Sequence, residues 1–235
     1  SRRVNSFAVG MPGEIWGGLS APSATGGINT QWLNHGEGTP VVFIHGFSGE
    51  LISWNPLLSG ANVSWPALGV DLPCHGESDL AVPRDLDDVA AQIEAALLEQ
   101  GVPEAILCGH SFGGAVAARI ASSGQIRVRA QCLFAPGGLT PEISPIFVTG
   151  MSRARSAESL TPWLEMLVAD KNLITHAFVS RTAAGRVSDA KFAAVGTFAD
   201  RFFPDQTQRF NVLDDLAQAA GPVRVVYGRQ DRVLP

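Results

Sequence analysis

Short unbroken apolar runs alternate along this chain with stretches whose apolar residues recur at helical spacing. VVFIH (41–45), ALGVD (67–71), AILCG (105–109), AQCLFA (130–135) and VRVVYG (223–228) each end at glycine, proline or polar turn residues. Continuous apolarity, in place of apolar-polar alternation, predicts parallel strands buried on both faces. Between two of these runs, 83–100 carries Leu86, Val89, Ala90, Ile93 and Leu97 on one face. It opens with Asp85, Asp87 and Asp88, where a helix N-terminus favours negative charge, and so reads as a helix on a sheet face.

The alternation from about residue 40 to 135 predicts an α/β fold, an open parallel sheet with right-handed crossovers and helices on both sides. From Gly138 to Asp205 the strand pattern stops, and ESLTPWLEMLVAD sets Leu160, Trp163, Leu164 and Leu167 on one stripe. We expect one domain over 1–235, with 138–205 as a helical cap insertion. GGINTQWLNHG reads as an edge strand. Lys171 follows the helical stripe instead of sitting in a hairpin turn, so it reads as a surface charge and not as a lipoyl attachment site.

Composition narrows the classes. With 46% apolar and 17% charged residues the chain is globular, not disordered. A net charge of -5 with no basic block argues against nucleic-acid binding. No apolar run approaches the roughly 20 residues that span a bilayer, and SRR at the start is not followed by a secretory apolar stretch. The reading is a cytoplasmic protein without a membrane partner. Cys74, Cys108 and Cys132 are odd in number and lack C-x-x-C spacing, as expected of reduced thiols. The chain begins without methionine and stops just after an apolar run, so both ends are expected to be cut.

The chemistry concentrates at CGHSFGG (108–114), which places Ser111 in G-x-S-x-G spacing between a strand and a helix. In that context the serine takes a strained conformation at the carboxyl end of the sheet, and flanking glycines let strand and helix close together. The opposing reading is a glycine-rich turn whose serine only caps the helix. HGFSG (45–49) follows the first central strand, and the N–H groups of Phe47 and Phe112 are candidates for an oxyanion hole. DLPCHGES (71–78) reads as a structural loop in which Asp71 and His75 bond local backbone. Asp231, after the last strand, suits the order Ser, Asp, His and is the candidate acid. Its alternative is a turn aspartate or a partner of Arg229 or Arg232. No metal-ligand cluster or phosphate-cradling loop is present, so no cofactor or metal is called for.

HGFSG, DLPCHGES, GHSFGG and GRQDRVLP, in this order over roughly 30–235, resemble the α/β-hydrolase family. PGGLTPEISPIFVTGM followed by PWLEMLVADKNLIT looks more narrowly like the hydrolase-like acyltransferase domain of acetoin dehydrogenase E2 components. That resemblance implies a lipoyl domain ahead of the hydrolase-like one and an acyl group carried as a thioester, with residues 1–30 as the remains of a connection. The family's histidine follows the acid in a loop after one more strand. It is expected beyond Pro235, with a closing strand and helix, and without them the strand at 223 would be an exposed edge that a second chain could pair. Of the five histidines, His35 lies near the edge, His45 and His75 sit in the two loops, His110 adjoins the serine, and His176 in the cap is a poor base because a mobile segment cannot hold an imidazole at about 3 Å.

Two readings follow. In the first, Ser111 attacks a small ester or thioester, the Phe47 and Phe112 amides hold the oxyanion, Asp231 orients the histidine, and water or a thiol accepts the acyl group. Leu51, Trp54, Phe112, Met151, Trp163 and Met166 are then candidates to line an apolar acyl pocket, within a homo-oligomer or a larger acyltransferase complex. In the second, the domain is a non-catalytic scaffold or assembly module.

Overall fold

A computed structural model describes residues 27–234. The connection expected over residues 1–30 lies, up to residue 26, outside the described residues. Six strands form one sheet: β1 Thr30–Asn34, β2 Val41–Ile44, β3 Ala67–Val70, β4 Glu104–His110, β5 Arg127–Phe134 and β6 Val223–Val226. Their order is β1-β3-β2-β4-β5-β6, parallel throughout except for β1, which runs antiparallel to β3 at one edge. This is the α/β-hydrolase fold. β5 starts earlier than its apolar run, pairing with β4 from Arg127 opposite Glu104, and Arg127 and Arg129 reach that glutamate at 3.3 and 3.6 Å.

Eight helices accompany the sheet among the described residues: α1 Asn55–Gly60, α2 Leu86–Glu99, α3 Phe112–Ser123, α4 Pro145–Arg153, α5 Ala157–Glu165, α6 His176–Ala184, α7 Asp189–Phe202 and α8 Leu213–Ala217. α2 begins where Asp85 accepts the Asp88 N–H at 2.9 Å, and the apolar face read from its spacing is buried. α3 packs beside it and ends at Gly124, whose φ of 77° suits a glycine C-cap. On the opposite face Phe43, Ala67 and Cys108 meet Trp54 and Leu58. The three cysteines are free.

α4 to α8 lie along the chain between β5 and β6. Leu160 and Leu164 of α5 are buried, but α5 ends at Glu165 and Leu167 beyond it is exposed. Lys171 lies at the surface, paired with Glu165 at 2.7 Å. β6 closes the described sheet as an edge whose residues are all exposed, as expected of the strand at 223 with no further strand beside it, though its apolar run alone predicts burial. No described helix is long and apolar enough to cross a membrane.

Candidate active site

β4 ends in a sharp bend. Ser111 has φ 53° and ψ -120°, outside the ordinary regions for an L-residue. The main chain holds it there: its N–H donates to Phe134 O at 3.0 Å, and its carbonyl accepts from Gly114, Ala115 and Gly137. Small neighbours make the bend possible. A methyl group at Gly113 would strike the Ile44 and His45 carbonyls, and one at Gly109 would strike Gly113. Gly46 presses on the serine itself, with only 3.0 Å between its missing Cβ position and Ser111 Cβ.

Two loops pack around this bend, stitched by neutral histidines. His45 Nδ1–H donates to Gly46 O at 2.8 Å, and its Nε2 accepts from Leu72 N–H at 3.1 Å. His75 Nδ1–H donates to Pro73 O at 2.8 Å, and its Nε2 accepts from Ser48 N–H at 2.9 Å. Both rings are buried, and burial lowers the pKa of His45 to about 4 and of His75 to about 3. Asp71 joins the same loops, accepting from Leu51 N–H, Glu77 N–H and Asn29 Nδ2. Its Oδ1 lies 3.6 Å from His45 Nε2, but that nitrogen already accepts a hydrogen bond, so the contact is not an ion pair.

Phe47 and Phe112 flank the bend from two elements. Their N–H groups donate to no partner among the described residues. Their rings join one aromatic cluster from the far end of α7 and beyond. Phe198 stands 5.1 Å from Phe112 and 6.2 Å from Phe47, and Phe203 stands 6.1 and 5.3 Å from the same two.

A cavity of about 720 Å³ opens between the carboxyl ends of the strands and α4 to α7. Ser111, Phe47, His110 and Asp231 all line it. Asp231 Oδ1 accepts from Val233 N–H and Leu234 N–H at 2.8 and 2.9 Å, which leaves Oδ2 without a partner among the described residues. Burial lowers the His110 pKa, and Asp231 opposes that shift. His176 is exposed and does not line the cavity.

Of the six expected pocket residues, Met151 and Met166 line the cavity, whereas Leu51, Trp54, Phe112 and Trp163 do not. Trp54 packs against the sheet, its ring 5.1 Å from Phe43 and 6.2 Å from Phe134. Trp163 is turned outward onto Gly150, whose lack of a side chain leaves room for the indole. Phe112 and Leu51 are core residues by their side chains. Residues not singled out from the sequence complete the walls, notably Glu50, Phe147, Arg186 and Phe203. Glu50 directly follows HGFSG and Phe147 lies within PGGLTPEISPIFVTGM, whereas Arg186 and Phe203 lie in no motif read from the sequence.

A sequence model of the alpha/beta hydrolase family matches residues 41–235, and the chain belongs to that family. It is 30% identical over 234 residues to the dihydrolipoyllysine-residue acetyltransferase component of the acetoin cleaving system of Pseudomonas putida, covering 97% of this chain and 62% of that protein. It is also 30% identical over 214 residues to the component of the same name from Cupriavidus necator, covering 89% of this chain and 56% of that protein. The chain thus spans about three fifths of the length of these two relatives. Among solved structures, a meta-cleavage product hydrolase from Pseudomonas fluorescens IP01 superposes with a TM-score of 0.76 at 20% identity, over 88% of this chain and 78% of that one.

Proposed function

We propose that this chain carries out serine-dependent acyl transfer or hydrolysis on a small ester or thioester in the cytoplasm. The observation that carries the reading is Ser111 itself, held at positive φ on the cavity wall beside two residues whose main-chain N–H groups have no partner among the described residues. A backbone strained in this way persists only where the surrounding structure enforces it, and such strain clusters at reactive sites.

In this reading the Ser111 hydroxyl oxygen forms a bond to the substrate carbonyl carbon while its proton passes to a histidine base. The Phe47 and Phe112 N–H groups stabilise the oxyanion that develops. Collapse expels the alcohol or thiol, which leaves with that proton, and the acyl group stays on Ser111. Water or a second thiol then attacks, gives up its proton to the base, and frees the serine. Asp231 orients the histidine through its unpartnered Oδ2, and the family's order puts that histidine after the acid. Segment 138–205 serves as a cap over the acyl group, with Met151 and Met166 in its inner wall.

Similarity to two acetyltransferase components supports a thiol such as dihydrolipoamide as acceptor, within a larger acyltransferase complex. The test is labelling by a serine-directed phosphonate, together with turnover of short esters, in the full-length protein. Labelling at Ser111 that Ser111→Ala abolishes is expected. An intact fold with neither labelling nor turnover would leave a scaffold role. Adding dihydrolipoamide and measuring whether it outcompetes water separates transferase from hydrolase.

A further inference from the structure

Arg186 follows α6 and turns into the cavity, and the proposed reaction gives it no part. Its guanidinium is tied to three points: Nη1 donates to Met151 O at 2.6 Å and to Ala154 O at 2.8 Å, and Nη2 to Ser48 Oγ at 2.7 Å. A guanidinium has five N–H donors, so Nε–H and one Nη2 hydrogen are left without an acceptor among the described residues. It forms no ion pair there, although the charge of Glu50 partly offsets the effect of its burial. Asp189 is paired with Arg155 and Glu77 with Lys191. Glu50 stands in the same wall but forms no ion pair with Arg186, and burial, with help from Asp71, raises its own pKa. Burial presses on the cation as well, lowering the Arg186 pKa to about 10. A half-buried cation with no ion pair and two free N–H groups is costly, and an anion delivered by a ligand relieves it.

We propose that Arg186 receives the carboxylate of an acyl substrate that is charged at the end remote from its reacting carbonyl, so that the cavity takes half-esters or half-thioesters of dicarboxylic acids. Which end reacts rests on the serine-ester reading; the carboxylate site itself does not. The spacing fits. Gly46 presses on Ser111, Ser48 lies two residues further on at about 3.8 Å per Cα step, and Arg186 is bonded to Ser48. That puts the guanidinium within roughly 15 Å of the serine by chain geometry. Phe147, Met151, Met166 and Phe203 line the cavity and suit a short methylene body. A carboxylate fits better than a phosphate dianion, because the Arg186 fork has two free N–H groups to match its two oxygens and Lys191 is committed to Glu77.

The test uses the full-length protein. Calorimetry on the Ser111→Ala protein compares monomethyl adipate with dimethyl adipate, and inorganic phosphate is added as a competitor. Arg186→Met should weaken monomethyl adipate by about 10- to 100-fold, the loss expected for charge-assisted bonds, and leave dimethyl adipate nearly unchanged. Arg186→Lys, which keeps the charge and loses the fork, should fall between wild type and Arg186→Met, and it carries the comparison if the methionine variant melts. Equal weakening of both ligands would reduce Arg186 to a clasp between Ser48 and the carbonyls of Met151 and Ala154, and would overturn the proposal. So would phosphate displacing monomethyl adipate at the lower concentration. With Ser111 intact, turnover of methyl hexanoate as fast as monomethyl adipate would sink the carboxylate site and leave the serine reading. Arg186-dependent binding without turnover of any ester would do the reverse.

Discussion

Ser48 and His75 are joined by one hydrogen bond from main chain to ring, Ser48 N–H to Nε2 at 2.9 Å, and the ring can accept it only while neutral. The same holds for His45 and the Leu72 N–H. Both loops beside Ser111 therefore depend on two buried imidazoles that have no room for a second proton.

Acid should loosen these loops first. The folded pKa values, about 4 for His45 and about 3 for His75, lie below the ordinary 6.5. Between pH 6.5 and 4 the unfolded chain takes up protons that the folded chain refuses, so stability falls as pH falls. Each histidine contributes up to about 1.4 kcal/mol per pH unit in that window. Urea midpoints measured from pH 7 to pH 4 should drop steeply for the wild type. In His75→Leu the drop should be shallower, starting from a protein about 1–3 kcal/mol less stable at pH 7 because Ser48 N–H loses its acceptor. A midpoint that does not respond to pH in the wild type would show that the rings are not held neutral.

Phe198 bridges the two residues proposed to hold the oxyanion, with its ring 5.1 Å from Phe112 and 6.2 Å from Phe47. It comes from α7, far along the chain, so the cap segment and the two donor-bearing turns are packed as one unit. Phe198→Leu should cost about 1–2 kcal/mol of stability. If the packing also positions the donors, kcat on a short ester should fall about tenfold with KM nearly constant. A loss of stability with unchanged kcat would confine Phe198 to the core.

Two glycines should respond to the same substitution with opposite sign. Gly113 faces the Ile44 and His45 carbonyls with no room for a methyl, whereas Gly196, inside α7, faces open space. Gly113→Ala should destabilise by about 1–3 kcal/mol through forced separation of α3 from β2. Gly196→Ala should stabilise by about 0.5–1 kcal/mol through helix propensity. Thermal melts of the two variants decide it, and a shift in the same direction for both would contradict the packing described.

The strands and α2 were legible because burial on both sheet faces leaves an uninterrupted apolar run, and helix burial leaves a stripe; both signals are local. The placement of Ser111 and Asp231 at the carboxyl ends of strands, on the cavity wall, was legible for a similar reason, since each follows a strand at a turn with a recognisable residue pattern. The pocket was not. Trp54 and Trp163 are aromatic residues near turns, as Met151 and Met166 are apolar residues near turns, and nothing in the neighbouring sequence tells an indole facing the sheet or Gly150 from a side chain facing the cavity. Arg186 was beyond reach altogether, because its surroundings are made by Ser48, Met151 and Ala154, which only the folded chain brings together.

Asp231 allows its two possible roles to be separated. One carboxylate oxygen caps the turn by accepting from Val233 and Leu234 N–H, and the other has no partner among the described residues. Asp231→Asn keeps a carbonyl oxygen for the cap but removes the charge that would orient and stabilise a protonated histidine. Stability should therefore change by no more than about 1 kcal/mol, while kcat in the full-length protein falls by roughly 10²- to 10⁴-fold, as expected when the acid of such a triad loses its charge. Asp231→Ala should lose the cap as well and melt lower than Asp231→Asn. If Asp231→Asn instead retains wild-type turnover, Asp231 is a turn aspartate, and the acid must be sought elsewhere on the cavity wall.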